Sequence, residues 1–186
     1  MKRLFAAIKV TPDENFLKIY YGLIKELHFA KVNWVKPENM HLTLKFFGET
    51  SEEKVEQINQ VIEESLENFA PFIIHLKETG IFGSSYNPKV IWFGVGNAEI
   101  LKKMAENLLI SLDENGFLRD RQNFVPHLTV GRIKDVKHKQ LFQSAVDKYK
   151  GSFIQEILVD SIILFESVLT PKGPQYKKIS EHRLKA

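Results

Sequence analysis

Two short stretches carry residues able to move protons: His41-Leu42-Thr43-Leu44 and His127-Leu128-Thr129-Val130. Successive side chains of an extended chain point to opposite faces, so in each stretch the imidazole and the hydroxyl share one face and the aliphatic residues share the other. The aliphatic face is suited to burial. The polar face offers, twice over, a group that titrates near neutrality beside a hydroxyl able to donate a hydrogen bond. With two imidazoles, one can accept a proton while the other gives one, which is acid–base catalysis of a displacement. The hydroxyls can donate to non-bridging phosphate oxygens as charge builds in a five-coordinate transition state. That chemistry needs no metal.

Other chemistries fit these residues less well. A metal centre lacks ligands: neither histidine has an acidic or second histidine partner two or four residues on, threonine is a poor zinc ligand, and the chain has no cysteine. No Gly-x-Ser-x-Gly stretch occurs, and Ser84-Ser85 reads as turn chemistry. An imidazole and a hydroxyl on one face of an apolar strand are costly to bury without partners. Two such faces turned toward each other would line a polar cleft.

The elements that must position these faces follow from pattern. Residues 3 to 10 read as a strand. Thr11 as N-cap, Pro12 in the first turn and Glu14 as capping-box partner then start a helix whose face is Leu17, Tyr20, Tyr21, Ile24, Leu27 and His28. The His41 strand ends at Gly48, and Thr50 with Glu53 repeats the capping pattern before a helix marked by Val55, Ile58, Ile62 and Leu66. Extended chain over 72–82, a turn over 83–88 and a strand over 90–95 follow. A third helix runs from about Ala98 to Gly116, with Leu101, Met104, Ala105, Leu108 and Leu112 inward. After the strand at 125–133 come a fourth helix over 136–149, β-rich chain over 153–169, a turn at Pro171, Gly173 and Pro174, and a last strand from Gln175 to about Arg183.

Strand, helix, His-Leu-Thr strand, helix and strand thus run over about 3–82 and recur over about 90–166. The pattern predicts an internal duplication within one unit spanning 1–186, with the site in the cleft between two lobes. The totals agree with a globular chain: 186 residues, 44% hydrophobic. Without cysteine it suits a reducing compartment, and its first apolar run, broken at Lys9, is too short for a signal peptide or membrane span, so a cytoplasmic location is expected. The net charge of +3 and pI of about 8.9 favour a small anionic ligand or an RNA end over duplex DNA. The terminal cations Lys172, Lys177, Lys178, Arg183 and Lys185 read as a solvated strand.

The paired "HLTL" and "HLTV" resemble the two HxTx signatures of the 2H phosphoesterase superfamily. "RLFAAI", "NMHLTLKFFGE", "GIFGSSYNPKVIWFGV" and "FVPHLTVGR", in that order, are similar to the RNA 2′,3′-cyclic phosphodiesterases, formerly called 2′-5′ RNA ligases. The resemblance covers about residues 3 to 166. It implies an α+β fold of two pseudo-symmetric lobes, each an antiparallel sheet with helices on its outer side, facing across a central cleft. It implies metal-independent hydrolysis of a 2′,3′-cyclic phosphate end of RNA to a 2′-phosphate, with no cofactor. His41 then stands where the family has its proton donor and His127 where it has its proton acceptor. Thr43 and Thr129 match the substrate-binding threonines. The residues by themselves treat the two histidines symmetrically.

The same cleft would also serve a non-catalytic binder of nucleotides or RNA ends, a 2′-5′ RNA ligase or a phosphodiesterase of small cyclic nucleotides. Arg132 could neutralise phosphate, although strict alternation puts it opposite His127 and Thr129. Phe46, Phe47, Phe82 or Tyr86 could stack on a base, with core packing the competing use. His28, His75, His138 and His182 have no matching surroundings. No heptad or spare apolar helix argues for assembly, so a monomer is expected.

Overall fold

The structure, a computed structural model, describes residues 1–119, 124–171 and 173–185. Its elements, in chain order, are β1 (Lys2–Lys9), α1 (Glu14–Glu26), β2 (Lys31–Trp34), a 3-10 turn (Pro37–Asn39), β3 (His41–Thr50), α2 (Glu53–Leu66), β4 (Phe72–Ser84), β5 (Asn87–Gly96), α3 (Glu99–Glu114), β6 (His127–Asp135), α4 (Lys139–Asp147), β7 (Phe153–Val159), β8 (Ser161–Thr170) and β9 (Gly173–Arg183). No helix among the described residues is long and apolar enough to cross a membrane.

Local chemistry moves several boundaries. Asp13, not Thr11, caps α1: its Oδ1 accepts from the Phe16 amide at 2.7 Å, and the helix begins one residue later at Glu14. The buried face of α1 is Phe16, Ile19, Tyr20 and Leu23, while Tyr21 is exposed. Apolar residues lie on both sides of this helix, and the Phe16 ring, edge-on to Phe93 at 5.1 Å, decides which side turns inward. Thr50 does not cap α2. It ends β3, with its hydroxyl donating to the Gly48 carbonyl, and Gly48 at φ +70° lies within the strand instead of stopping it. The fourth helix is shorter than its apolar pattern, Lys139–Asp147.

The strands form the two antiparallel sheets expected of an α+β fold, ordered β3-β1-β8-β9 and β2-β6-β5-β4-β7. Each sheet draws on both halves of the chain. β4, which follows the first His-Leu-Thr strand, pairs with β5 and β7, whereas β8, late in the chain, pairs with β1. The order β3-β1-β8 therefore corresponds to β6-β5-β4, with the closing strand exchanged. α2 packs on α3 and β9, α1 on β7, and α4 on β4. One continuous apolar core, including Leu4, Leu42, Ile58, Phe93, Leu128 and Ile157, joins both sheets to the helices.

Candidate active site

β1 and β5 hold the two motif strands. His41 lies opposite Lys9 and Thr43 opposite Ala7, while His127 lies opposite Gly94 and Thr129 opposite Trp92. Leu42, Leu44, Leu128 and Val130 go into the core, each worth about 2 kcal/mol. A slip of one residue in either strand would bury the imidazole face instead, so these leucines and valine set the register. β3 and β6 are in contact with each other, and His41, Thr43, His127 and Thr129 all line one cleft of about 480 Å³.

The two imidazoles are held alike. His41 Nδ1 lies 2.7 Å from the Asn39 carbonyl and His127 Nδ1 2.8 Å from the Val125 carbonyl, each two residues upstream. A carbonyl oxygen only accepts, so both Nδ1 atoms carry the hydrogen. That leaves Nε2 as the nitrogen for exchanging protons in the cleft. Each ring also rests on aromatic groups. His41 sits between Phe5, centroids 4.9 Å apart, and Tyr176, edge-on at 5.1 Å. His127 meets Phe82 edge-on at 4.7 Å. Burial holds the His41 pKa below the ordinary imidazole value, with the Asn39 bond opposing and the Arg132 charge adding to the depression.

Matching irregularities redirect the side chains just beyond each motif. In β3, Ala7 faces Thr43 but Ala6 faces Lys45, leaving Leu44 as an extra residue; in β6, Trp92 faces Thr129 but Ile91 faces Gly131, leaving Val130 as the extra one. Each is a β-bulge, which shifts the alternation by one. Lys45 thereby leaves the face of His41 and Thr43 and is 4% exposed, its Nζ donating to the Leu118 carbonyl. Phe46 takes its place over the cleft, and in the second strand Arg132 joins His127 and Thr129 there. Strict alternation thus fails for Arg132. A lone glycine inside a strand, Gly131, is the signal that marks the bulge in the sequence.

Of the other aromatic candidates, Phe82 supports His127, Phe47 packs on Phe117, and Tyr86 stands exposed at the tip of the β4–β5 hairpin, outside the cleft. His28 and His138 flank Phe29, His75 meets Glu156, and His182 bonds Asn59 and Ser180, all away from the cleft. Of the terminal cations, Lys178 pairs with Glu181 and Lys185 with Glu63, and Lys172 lies outside the described residues. Sequence reasoning missed Arg3, Phe5 and Tyr176, which also line the cleft. The signal for Arg3 and Phe5 is only their place on one face of β1, opposite Leu4, Ala6 and Ile8, in a run that is apolar on both faces. Tyr176 has no such signal, because only the pairing of β9 on β8 brings it to His41. Among the described residues, no group of three or more His, Cys, Asp or Glu is placed to hold a metal ion.

A cleft lined by two HxTx strands from two antiparallel sheets is the arrangement of a 2H phosphoesterase, and the chain belongs to the 2′-5′ RNA ligase superfamily, whose family model matches residues 24–168. Its relatives include proteins named RNA 2′,3′-cyclic phosphodiesterase from Archaeoglobus fulgidus, 37% identical and covering 95% of this chain and 97% of the relative, and from Thermotoga maritima, 37% identical over 96% and 94%. Among solved structures, TT0787 of Thermus thermophilus superposes with a TM-score of 0.79 at 26% identity, covering 98% and 97% of the two chains. E. coli LigT complexed with 3′-AMP shares the fold, with a TM-score of 0.76 at 22% identity over 100% and 99%.

Proposed function

We propose that this protein is an RNA 2′,3′-cyclic phosphodiesterase that opens the cyclic phosphate at an RNA end to a 2′-phosphate, without a metal, and that its single bilobal unit arose by internal duplication. The observation that carries the reading is the pair of Nδ1–carbonyl bonds, which leave two Nε2 atoms for the one cleft. Relatives carrying that activity as their name, at 37% identity over nearly the whole chain, support it.

In the proposed reaction, neutral His127 takes a proton from water through Nε2 as the oxygen attacks phosphorus. The P–O3′ bond breaks, and protonated His41 gives its Nε2 proton to the departing 3′ oxygen. The products are a 2′-phosphomonoester and a free 3′ hydroxyl, and proton exchange with solvent resets the pair. Thr43 and Thr129 donate to the non-bridging oxygens, and Arg132 adds positive charge where the phosphorane is most negative. The assignment of donor to His41 and acceptor to His127 follows the family.

Product analysis on a short RNA with a 2′,3′-cyclic end tests this. Wild-type protein is expected to give the 2′-phosphate at an unchanged rate in EDTA. His41→Ala and His127→Ala are each expected to lower the rate by about 10²–10⁴. Full activity in either variant, or loss of activity in EDTA, would refute the mechanism.

A further inference from the structure

The RNA chain preceding the terminal nucleotide has to leave the cleft, whose volume of about 480 Å³ suits one nucleotide. Resting on the reading that the cleft takes an RNA terminus, we propose that a neighbouring groove of about 560 Å³ is the subsite for the nucleotide on its 5′ side. This groove lies between the far end of β3, the start of α2 and residues 116–119.

Continuity and composition choose it. Phe46, a residue 53% exposed, lines both the cleft and the groove, so it forms their shared wall. Beyond it, Phe117 meets Phe47 edge-on at 5.7 Å, and Lys54 Nζ stands 5.8 Å from the Phe117 centroid. Arg119 lies on the rim, its Nη2 donating to both oxygens of Glu106 at 2.8 Å, which fixes the guanidinium. Glu49 is the acidic residue of the lining. Aromatic faces for bases beside cations for phosphates are what a single-stranded polynucleotide requires. A second cation–aromatic cluster, Lys139 at 5.7 Å from the exposed Tyr86 ring, sits over a hollow of about 220 Å³ that shares no lining residue with the cleft. It is the poorer continuation.

The full-length protein tests the assignment through the ratio of kcat/KM for two substrates: a single-stranded oligonucleotide with a cyclic phosphate end, and the matching nucleoside 2′,3′-cyclic phosphate. Wild type is expected to favour the oligonucleotide. Lys54→Glu and Phe117→Leu are each expected to lower the ratio about tenfold, the scale of a lost stacking or phosphate contact. In Lys54→Gln the slope of log kcat/KM against log salt for the oligonucleotide should fall by about 0.7. Because a misfolded variant loses both substrates together, the ratio separates a lost contact from a lost fold. The subsite is overturned if wild type shows no preference, if the ratio is unchanged in both groove variants, or if Lys139→Glu lowers it instead. A wild type that hydrolyses neither substrate would fail at the catalytic reading, a result distinct from these.

Discussion

His41 carries the tension of the site. A proton donor, the role proposed for His41, must be protonated, yet burial and the charge of Arg132 both push its pKa down. In the free protein, protonated His41 therefore persists only below the ordinary imidazole range, and the limb of kcat/KM that reports His41 is expected to be displaced downward from that range. An anionic phosphate entering the cleft opposes that push, so the limb of kcat should lie higher than the limb of kcat/KM. Arg132→Gln removes a positive charge and should move the kcat/KM limb upward, while lowering the rate at least about tenfold by withdrawing charge from the phosphate. A downward movement in a pH-rate profile would contradict the electrostatic role given to this arginine. At this scale the sequence was readable where chemistry repeats. The two histidines and two threonines that line the cleft stand out from spacing alone, whereas Tyr176 reaches His41 only through a strand pairing that no local pattern encodes.

The bulges decide what the elements present. Gly131, which comes directly after the extra residue of β6, packs against β2 so closely that an added Cβ would stand 2.7 Å from Val32 Cγ1 and 3.1 Å from Trp34 Cε3. Val32 is β-branched and stiff, so it cannot swing aside cheaply. Gly131→Ala is expected to cost about 1–3 kcal/mol, read as a lower denaturant midpoint, and to reduce activity by displacing Arg132. Wild-type stability and activity in this variant would show that β2 yields more readily than its packing implies. Helix and strand types were legible because period and turn residues agree, but the caps were not. Thr11 reads as the N-cap of α1 from its spacing to Glu14, and only the geometry in which Asp13 reaches the Phe16 amide gives the role to Asp13 instead.

At the scale of the molecule, the duplicated pattern suggested two lobes following one another, while the strands are exchanged between sheets. An isolated 1–86 segment would lack β8 beside β1 and would leave β4 without β5 and β7. Neither that segment nor 87–186 alone is expected to give a cooperative thermal transition, whereas the two mixed should recover one, as circular dichroism would record. Cooperative melting of either alone would mean that each half is self-sufficient. Pairing between distant strands depends on which edges are left open once neighbours have formed, and a linear pattern does not carry that information.

β7 and β8 belong to different sheets yet are joined by the single residue Asp160, and one core runs beneath both sheets. There is no slack at this joint for a swinging jaw, and widening the notch would tear hydrocarbon contacts on the far side. The hydrolysis proposed above would then take place in a preset shape, with no hinge between the sheets to close on the phosphate.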